Sequence, residues 1–136
     1  SGVTILDQPD DLIPALQTSD AMIATSGTIT LQAALCGTVG VTCYRTSAFS
    51  GFIGRRLVDL DKVILPNAIL GRPLYPFYFQ EAANGKTLAA ATLDCLDDAN
   101  AKSSARQAAI ELKSLLTGGA KSFDELVISA LKNWLV

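Results

Sequence analysis

Ser26-Gly27-Thr28 carries the clearest chemical signal in this chain. An apolar run, Ala21 to Ala24, precedes it and Ile29 to Leu35 follows, so it reads as a turn from strand into helix. Serine and threonine suit helix starts, and Gly27 lets a ligand come close to the backbone. The first turn of a helix has backbone N–H groups without internal partners, and the helix dipole adds partial positive charge there. A strand-to-helix turn of small hydroxylated residues is therefore a cradle for phosphate or diphosphate. An ordinary helix start in an α/β domain uses the same three residues, so the tripeptide alone leaves both readings open.

Other chemistries are narrowed by what the composition lacks. Histidine is absent, which removes Ser-His and Cys-His catalysis and most transition-metal sites. Cys36, Cys43 and Cys95 are odd in number, unpatterned and set among apolar residues. They read as buried free thiols in a reducing compartment rather than as a disulfide or zinc site. No metal and no cofactor is expected.

The elements that must position the turn follow from periodicity. Val3-Thr4-Ile5-Leu6 reads as a short strand. Pro9-Asp10-Asp11 opens a helix through about Thr18, its acidic residues complementing the dipole. The strand Ala21 to Ala24 leads through the turn into a helix ending near Cys36, where Gly37 stops it. Val39 to Tyr44 is β-branched enough for a third strand. Phe49, Phe52, Ile53, Leu57 and Leu60 fall at helical spacing, and Lys62 to Leu65 reads as a fourth strand ended by Pro66. Strands alternating with helices imply right-handed crossovers and a parallel sheet with helices on both faces. The expected fold is thus α/β, a Rossmann-like parallel sheet of about four strands flanked by helices, with a helical C-terminal third.

Leu70 to Phe79 is a connection rich in proline and aromatics, which either pack over the sheet or cover a ligand or another domain. Beyond it, Thr87 to Leu96 reads as a helix, and Ala105, Ala108, Ala109, Leu112, Leu115 and Leu116 give a second apolar stripe stopped by Gly118-Gly119. Ser122 with Glu125 forms a capping box for a third helix, apolar along Phe123, Leu126, Val127, Ala130, Leu131, Trp134 and Leu135. That stripe needs a surface: this domain's own sheet, another domain, or a second subunit.

At 136 residues, 49% apolar and 18% charged, the chain suits one packed domain. Thirteen acidic against eleven basic residues argue against nucleic acid as a partner. No apolar run approaches the length needed to cross a bilayer and no signal peptide opens the chain. A cytoplasmic protein is expected, peripheral on the inner membrane if Arg55 and Arg56, beside Phe49, Phe52 and Ile53, meet anionic lipid.

Several ordered motifs together say more than the turn. The run ASGTITLQAALCGTVGVTCYR, ending in Tyr44-Arg45, is similar to the A-S-G-T-A-T-L-E-A-A-L motif and following Tyr-Arg of the lipid-A-disaccharide synthases. Arg55-Arg56-Leu57-Val58 resembles that family's basic helix end. Leu65-Pro66-Asn67 with Leu70-Gly71-Arg72 resembles its L-P-N-x-x-x-G-R segment, and Gln80-Glu81 stands where it carries Gln-Glu. The resemblance covers roughly Val3 to Asp98.

The resemblance implies a two-Rossmann-domain glycosyltransferase of which these residues are one partial domain over 1–136. Residues 1–82 would form the α/β part that binds the donor nucleotide, and 83–136 the C-terminal helices. The implied reaction joins UDP-2,3-diacylglucosamine to 2,3-diacylglucosamine 1-phosphate with release of UDP. Ser26, Gly27, Thr28 and Thr30 would hold the diphosphate, and Gln32 would face the ribose. Tyr44 and Arg45 would line the donor pocket, with Asn67, Arg72 and Gln80 as further donor-binding candidates. From the residues themselves, Arg45 and Arg72 also fit surface salt bridges, and Asn67 fits a turn residue after Pro66.

Two departures stand inside the motifs. Gln32 replaces a glutamate, giving a diol one acceptor and one donor face in place of a carboxylate. Phe77 replaces an acidic residue before the Gln-Glu pair. The family's Gly-rich phosphate loop and acceptor domain have no counterpart here, and the general base for the acceptor hydroxyl is expected in that absent half. No catalytic residue is therefore expected in this chain, and the isolated chain is expected to be inactive. The implied partners are a UDP-sugar donor and a missing N-terminal acceptor domain or partner chain. A non-catalytic nucleotide-sugar module, a dimerisation piece whose terminal helix is exchanged between subunits, and another UDP-sugar transferase or epimerase are the alternatives.

Overall fold

The computed structural model describes residues 2–47 and 64–118. The helices expected around Phe49–Leu60 and after Ser122 lie outside them. A 3-10 turn, Pro9–Asp11, leads into α1 (Leu12–Thr18). Then follow β1 (Met22–Thr25), α2 (Thr28–Cys36) and β2 (Gly40–Tyr44). Beyond residue 63 come α3 (Leu65–Leu70), β3 (Phe77–Phe79), a 3-10 turn at Gln80–Ala82, α4 (Gly85–Asp97) and α5 (Ala99–Thr117).

The fold is α/β. Among the described residues the sheet has three strands in the order β1-β2-β3, all parallel. Met22 pairs with Gly40 and Thr25 with Cys43, while Thr42 pairs with Phe77 and Tyr44 with Phe79. Side chains alternate across a strand, so Met22 and Ala24 point into the main core against Ala33 and Ala34 of α2. Leu16 of α1, Ile64, Tyr75 and Leu112 of α5 complete that cluster. The other face buries Val41, with α4 packed against β1 and β2.

Two glycines fix this arrangement. Gly37 ends α2 at φ 74°, its N–H reaching the carbonyls of Ala33 and Ala34, a left-handed cap that favours glycine. At Gly40 a Cβ would collide with the carbonyl oxygen and side chain of Met22, so the close approach of β1 and β2 depends on its absence.

Three expectations are corrected. Val3–Leu6 is not a strand: no pairing reaches it among the described residues, and Val3 and Ile5 are 93% and 86% exposed. Propensity alone makes no strand without a partner ladder. The strand expected over Lys62–Leu65 does not extend to its end, because Leu65 opens α3 and Pro66 lies in its first turn. Proline lacks a donor that this position does not need. Leu70–Phe79 is not merely a connection but contains α3's end and β3. Its aromatics pack on the sheet: Tyr75 is buried, and Phe77 lies against the core.

The last two described helices are longer than their apolar stripes. Asn84 caps α4 by accepting from the Thr87 N–H at 3.0 Å, and Asp98 caps α5 by accepting from Asn100 at 2.8 Å. Each such cap stabilises by about 1 kcal/mol. The three cysteines are free but half-buried rather than fully buried, and burial pushes the Cys95 thiol up, with Asp94 and Asp98 adding to the shift. Among the described residues no helix is long and apolar enough to cross a membrane.

Candidate functional site at the carboxyl ends of the strands

β1 ends at Thr25, and the chain turns through Ser26 and Gly27 into α2. Gly27 occupies the N-cap position at φ 139°, ψ −167°, and no side chain caps the helix. The expected capping by Ser26 is thus not made. Instead the Gly27 carbonyl accepts from the Thr30 N–H at 3.1 Å and from the Thr30 hydroxyl at 2.7 Å. Thr30 is fully buried, so it shapes the turn from beneath. A Cβ on Gly27 would meet nothing within 4 Å, and Thr28 is exposed. Among the described residues the start of α2 therefore faces open space, with its first amides uncapped by side chains, the arrangement that attracts an anion.

Gln32, half-buried, stands four residues after Thr28 and so shares its side of α2. Tyr44 closes β2, one step past the Thr25–Cys43 pair, and its ring lies parallel to that of Phe79 at 6.5 Å. Arg45 follows, exposed. Beyond β3, Gln80 adopts φ 55°, the one positive-φ non-glycine residue among those described. Its Oε1 accepts from the Thr46 N–H at 3.0 Å. The three strand ends thus gather Ser26–Thr28, Tyr44–Thr46 and Gln80 along one rim, with Gln32 on the adjoining face of α2. Ligands collect at this end of open parallel sheets.

Asn67 and Arg72 are committed elsewhere. Asn67 is buried in α3, where its Oδ1 accepts from the N–H groups of Leu74 (2.9 Å) and Tyr75 (3.1 Å) and its Nδ2 donates to the Tyr75 carbonyl (3.0 Å). It holds the turn that leads into β3. The Arg72 guanidinium pairs with both oxygens of Glu111 on α5, at 3.0 and 2.6 Å. That bond holds the Glu111 carboxyl below its ordinary range. The surface-pair reading of Arg72 and a structural reading of Asn67 describe what these side chains touch.

Sequence reasoning did not single out Thr46 or Phe79 for the rim. The consecutive aromatics Phe77-Tyr78-Phe79 were the available signal for a strand, and the register beside β2 places Phe79 next to Tyr44. A cavity of about 290 Å³ lies at the other end of α2, near Cys36, Gly37 and Thr38, with Asp20, Lys102 and Arg106 in its wall. It is separate from the rim. Among the described residues no group of histidine, cysteine and carboxylate side chains gathers as a metal site.

Comparison with known proteins gives a consistent result. A family model described as lipid-A-disaccharide synthetase matches residues 4–130. The chain is similar to the lipid-A-disaccharide synthase of Nitrosococcus oceani, 33% identical over 125 residues, which is 91% of this chain and 32% of the relative. It is 34% identical to the synthase of Bradyrhizobium diazoefficiens over 108 residues, 79% of this chain and 28% of that protein. Against the Sulfurihydrogenibium synthase identity is 39% over 99 residues, covering 72% and 26%. The chain thus spans about a third of the length of the relatives it matches. No solved structure matches it.

Proposed function

Because the chain belongs to the lipid-A-disaccharide synthase family, we propose that it forms the donor-binding side of such a glycosyltransferase. The observation that carries this reading is the start of α2, made without a side-chain cap, at the carboxyl edge of a parallel sheet. The first-turn amides near Gly27 and Thr28 receive the diphosphate of a UDP-sugar, and Ser26 adds a hydroxyl. Gln32 faces the ribose from the same side of α2. Tyr44, Arg45 and Gln80 border the pocket, with Gln80 fixing the backbone at Thr46.

In the proposed reaction the acceptor hydroxyl of 2,3-diacylglucosamine 1-phosphate attacks the anomeric carbon of UDP-2,3-diacylglucosamine. The new β-1,6 glycosidic bond forms as the bond to the UDP oxygen breaks, and the hydroxyl proton passes to a general base. That base belongs to the acceptor side, so this chain by itself binds donor and does not turn over. Donor amides stabilise the charge that develops on the departing diphosphate.

Gln32 favours a second reading, a nucleotide-sugar module without catalytic duty, since an amide grips a diol less strongly than a carboxylate does. Calorimetric titration of UDP tests the first reading, using the chain together with the part of a relative's sequence that it does not match. Ser26→Ala and Gly27→Val should each weaken binding by about tenfold, ~1.4 kcal/mol. Absence of heat, or unchanged affinity in both variants, removes donor binding. Restored turnover on Gln32→Glu would separate a weakened enzyme from a pure binding module.

A further inference from the structure

The cavity of about 290 Å³ at the far end of α2 has a chemistry that donor binding does not use. The end of α1, the turn from α2 into β2 and one face of α5 all contribute to its wall. Asp20 stands just before β1 and Val39 just before β2, so the cavity lies at the amino ends of the strands, the pole opposite to the rim. The nine residues of α2 stand between the two places, about 13 Å of helix.

Lys102 and Arg106 lie four apart on α5 and so share the face that it turns to the cavity. The approach is close: a Cβ on Gly37 would lie 3.7 Å from the Arg106 Cα and 3.8 Å from its Cγ. The Arg106 stem is therefore seated beside the end of α2. Among the described residues neither cation forms a salt bridge, although Asp20 borders the same cavity. The wall also carries groups that accept hydrogen bonds. The Asp20 carboxylate only accepts, and the Gln17 amide both accepts and donates. The Ser19 hydroxyl donates to the Ala15 carbonyl at 2.6 Å, which leaves its oxygen as an acceptor. A cation beside a helix C-terminus is stabilising in itself, and a bound anion would draw on the same two charges.

We propose that this cavity binds a small hydroxylated phosphate monoester, of the size of a three-carbon polyol phosphate. A guanidinium fork and an ammonium one turn apart suit a dianionic phosphate. A bare phosphate would meet those charges and leave Gln17, Ser19 and Asp20 to water. Hydroxyl groups donate as well as accept, so a polyol engages all three. The volume is that of about ten waters, room for about ten non-hydrogen atoms, at the small end of ligand pockets. Nothing in this inference draws on donor binding, so its failure is distinguishable from failure of the UDP titration.

Glycerol 3-phosphate is the probe, titrated into the 136-residue chain at constant ionic strength and followed by amide NMR. Shifts that saturate below about 10 mM are expected at residues 17–20, 36–39 and 102–106. Glycerol and inorganic phosphate should each bind at least about tenfold more weakly. Lys102→Gln and Arg106→Gln should each weaken binding of the probe by about tenfold; both positions are exposed, so the variants should fold. Lys113→Gln, exposed on α5 and outside the cavity, should bind as the parent does. Asp20→Asn should weaken glycerol 3-phosphate without weakening inorganic phosphate. No saturable shift, shifts confined to Ser26–Thr28, or parental affinity in both Lys102→Gln and Arg106→Gln overturns the proposal. Equal affinity for inorganic phosphate or for glycerol overturns it too. Phosphatidylglycerol vesicles that move these signals where glycerol 3-phosphate does not would replace the soluble ester with a lipid headgroup, and overturn it as stated.

Discussion

The Gln80 side chain reaches from the end of β3 to accept the Thr46 N–H at 3.0 Å, tying together the loops that leave two neighbouring strands. Gln80 does this at φ 55°, a conformation that costs a non-glycine residue about 1 kcal/mol. Gln80→Ala keeps the backbone cost and loses the bond, so it should destabilise the fold by about 1–2 kcal/mol. Urea denaturation measures that change, and faster amide exchange at Thr46 would locate it.

Gly40→Ala should be the harshest small substitution in the sheet. Its Cβ meets the Met22 backbone, which cannot swing aside as a flexible side chain could. A loss of about 3 kcal/mol or more is expected, read as a large fall in Tm or as failure to yield folded protein.

Asn67 separates a structural role from a donor-binding one. Asn67→Ala leaves the Leu74 and Tyr75 N–H groups and the Tyr75 carbonyl without the partner they now have. A loss of about 2–4 kcal/mol should follow. UDP affinity, measured where the variant is still folded, should stay within about twofold of the parent. A selective loss of affinity with full stability would move Asn67 into the site.

The Arg72–Glu111 pair makes a pH-dependent prediction. Hydrogen bonding to Arg72 lowers the Glu111 pKa in the folded chain. A carboxylate depressed in this way adds stability above its unfolded pKa, and that stability fades as pH falls through the folded value. Carbon NMR should therefore find Glu111 titrating below ordinary glutamates, and Arg72→Ala should return it to their range. The Tm difference between Arg72→Ala and the parent should shrink on acidification. Both side chains are well exposed, so the difference should be small and should also shrink with added salt.

Much of the frame around the rim was legible because local chemistry and tertiary packing agree there. Gly37 stops α2 where the sequence places a stop, and the β-branched Val39–Tyr44 run becomes β2. The missed elements have physical reasons. Ile64 belongs to the buried cluster and looks like strand, yet Pro66 sits where a helix accepts it. β3 is three residues long and announced by aromatics rather than by clean apolar alternation, so its pairing decides it. Val3–Leu6 has the composition of a strand, and among the described residues no neighbour pairs with it. At the site, the turn was visible from residue type, while Gln32 was named by the family resemblance alone. The commitment of Arg72 to Glu111, 39 positions away, could not be read from either.

Thr38 shows how the fold is closed. Its hydroxyl donates to the Leu16 carbonyl at 2.9 Å, and its own carbonyl accepts from the Tyr75 hydroxyl at 2.6 Å. The two partners come from opposite directions along the chain, one 22 positions before and one 37 after. The bend entering β2 is therefore incomplete until distant segments on both sides have arrived. A chain cut short of residue 75 would enter β2 without the bond to the Thr38 carbonyl, and β1, α2 and β2 should be the less stable for it.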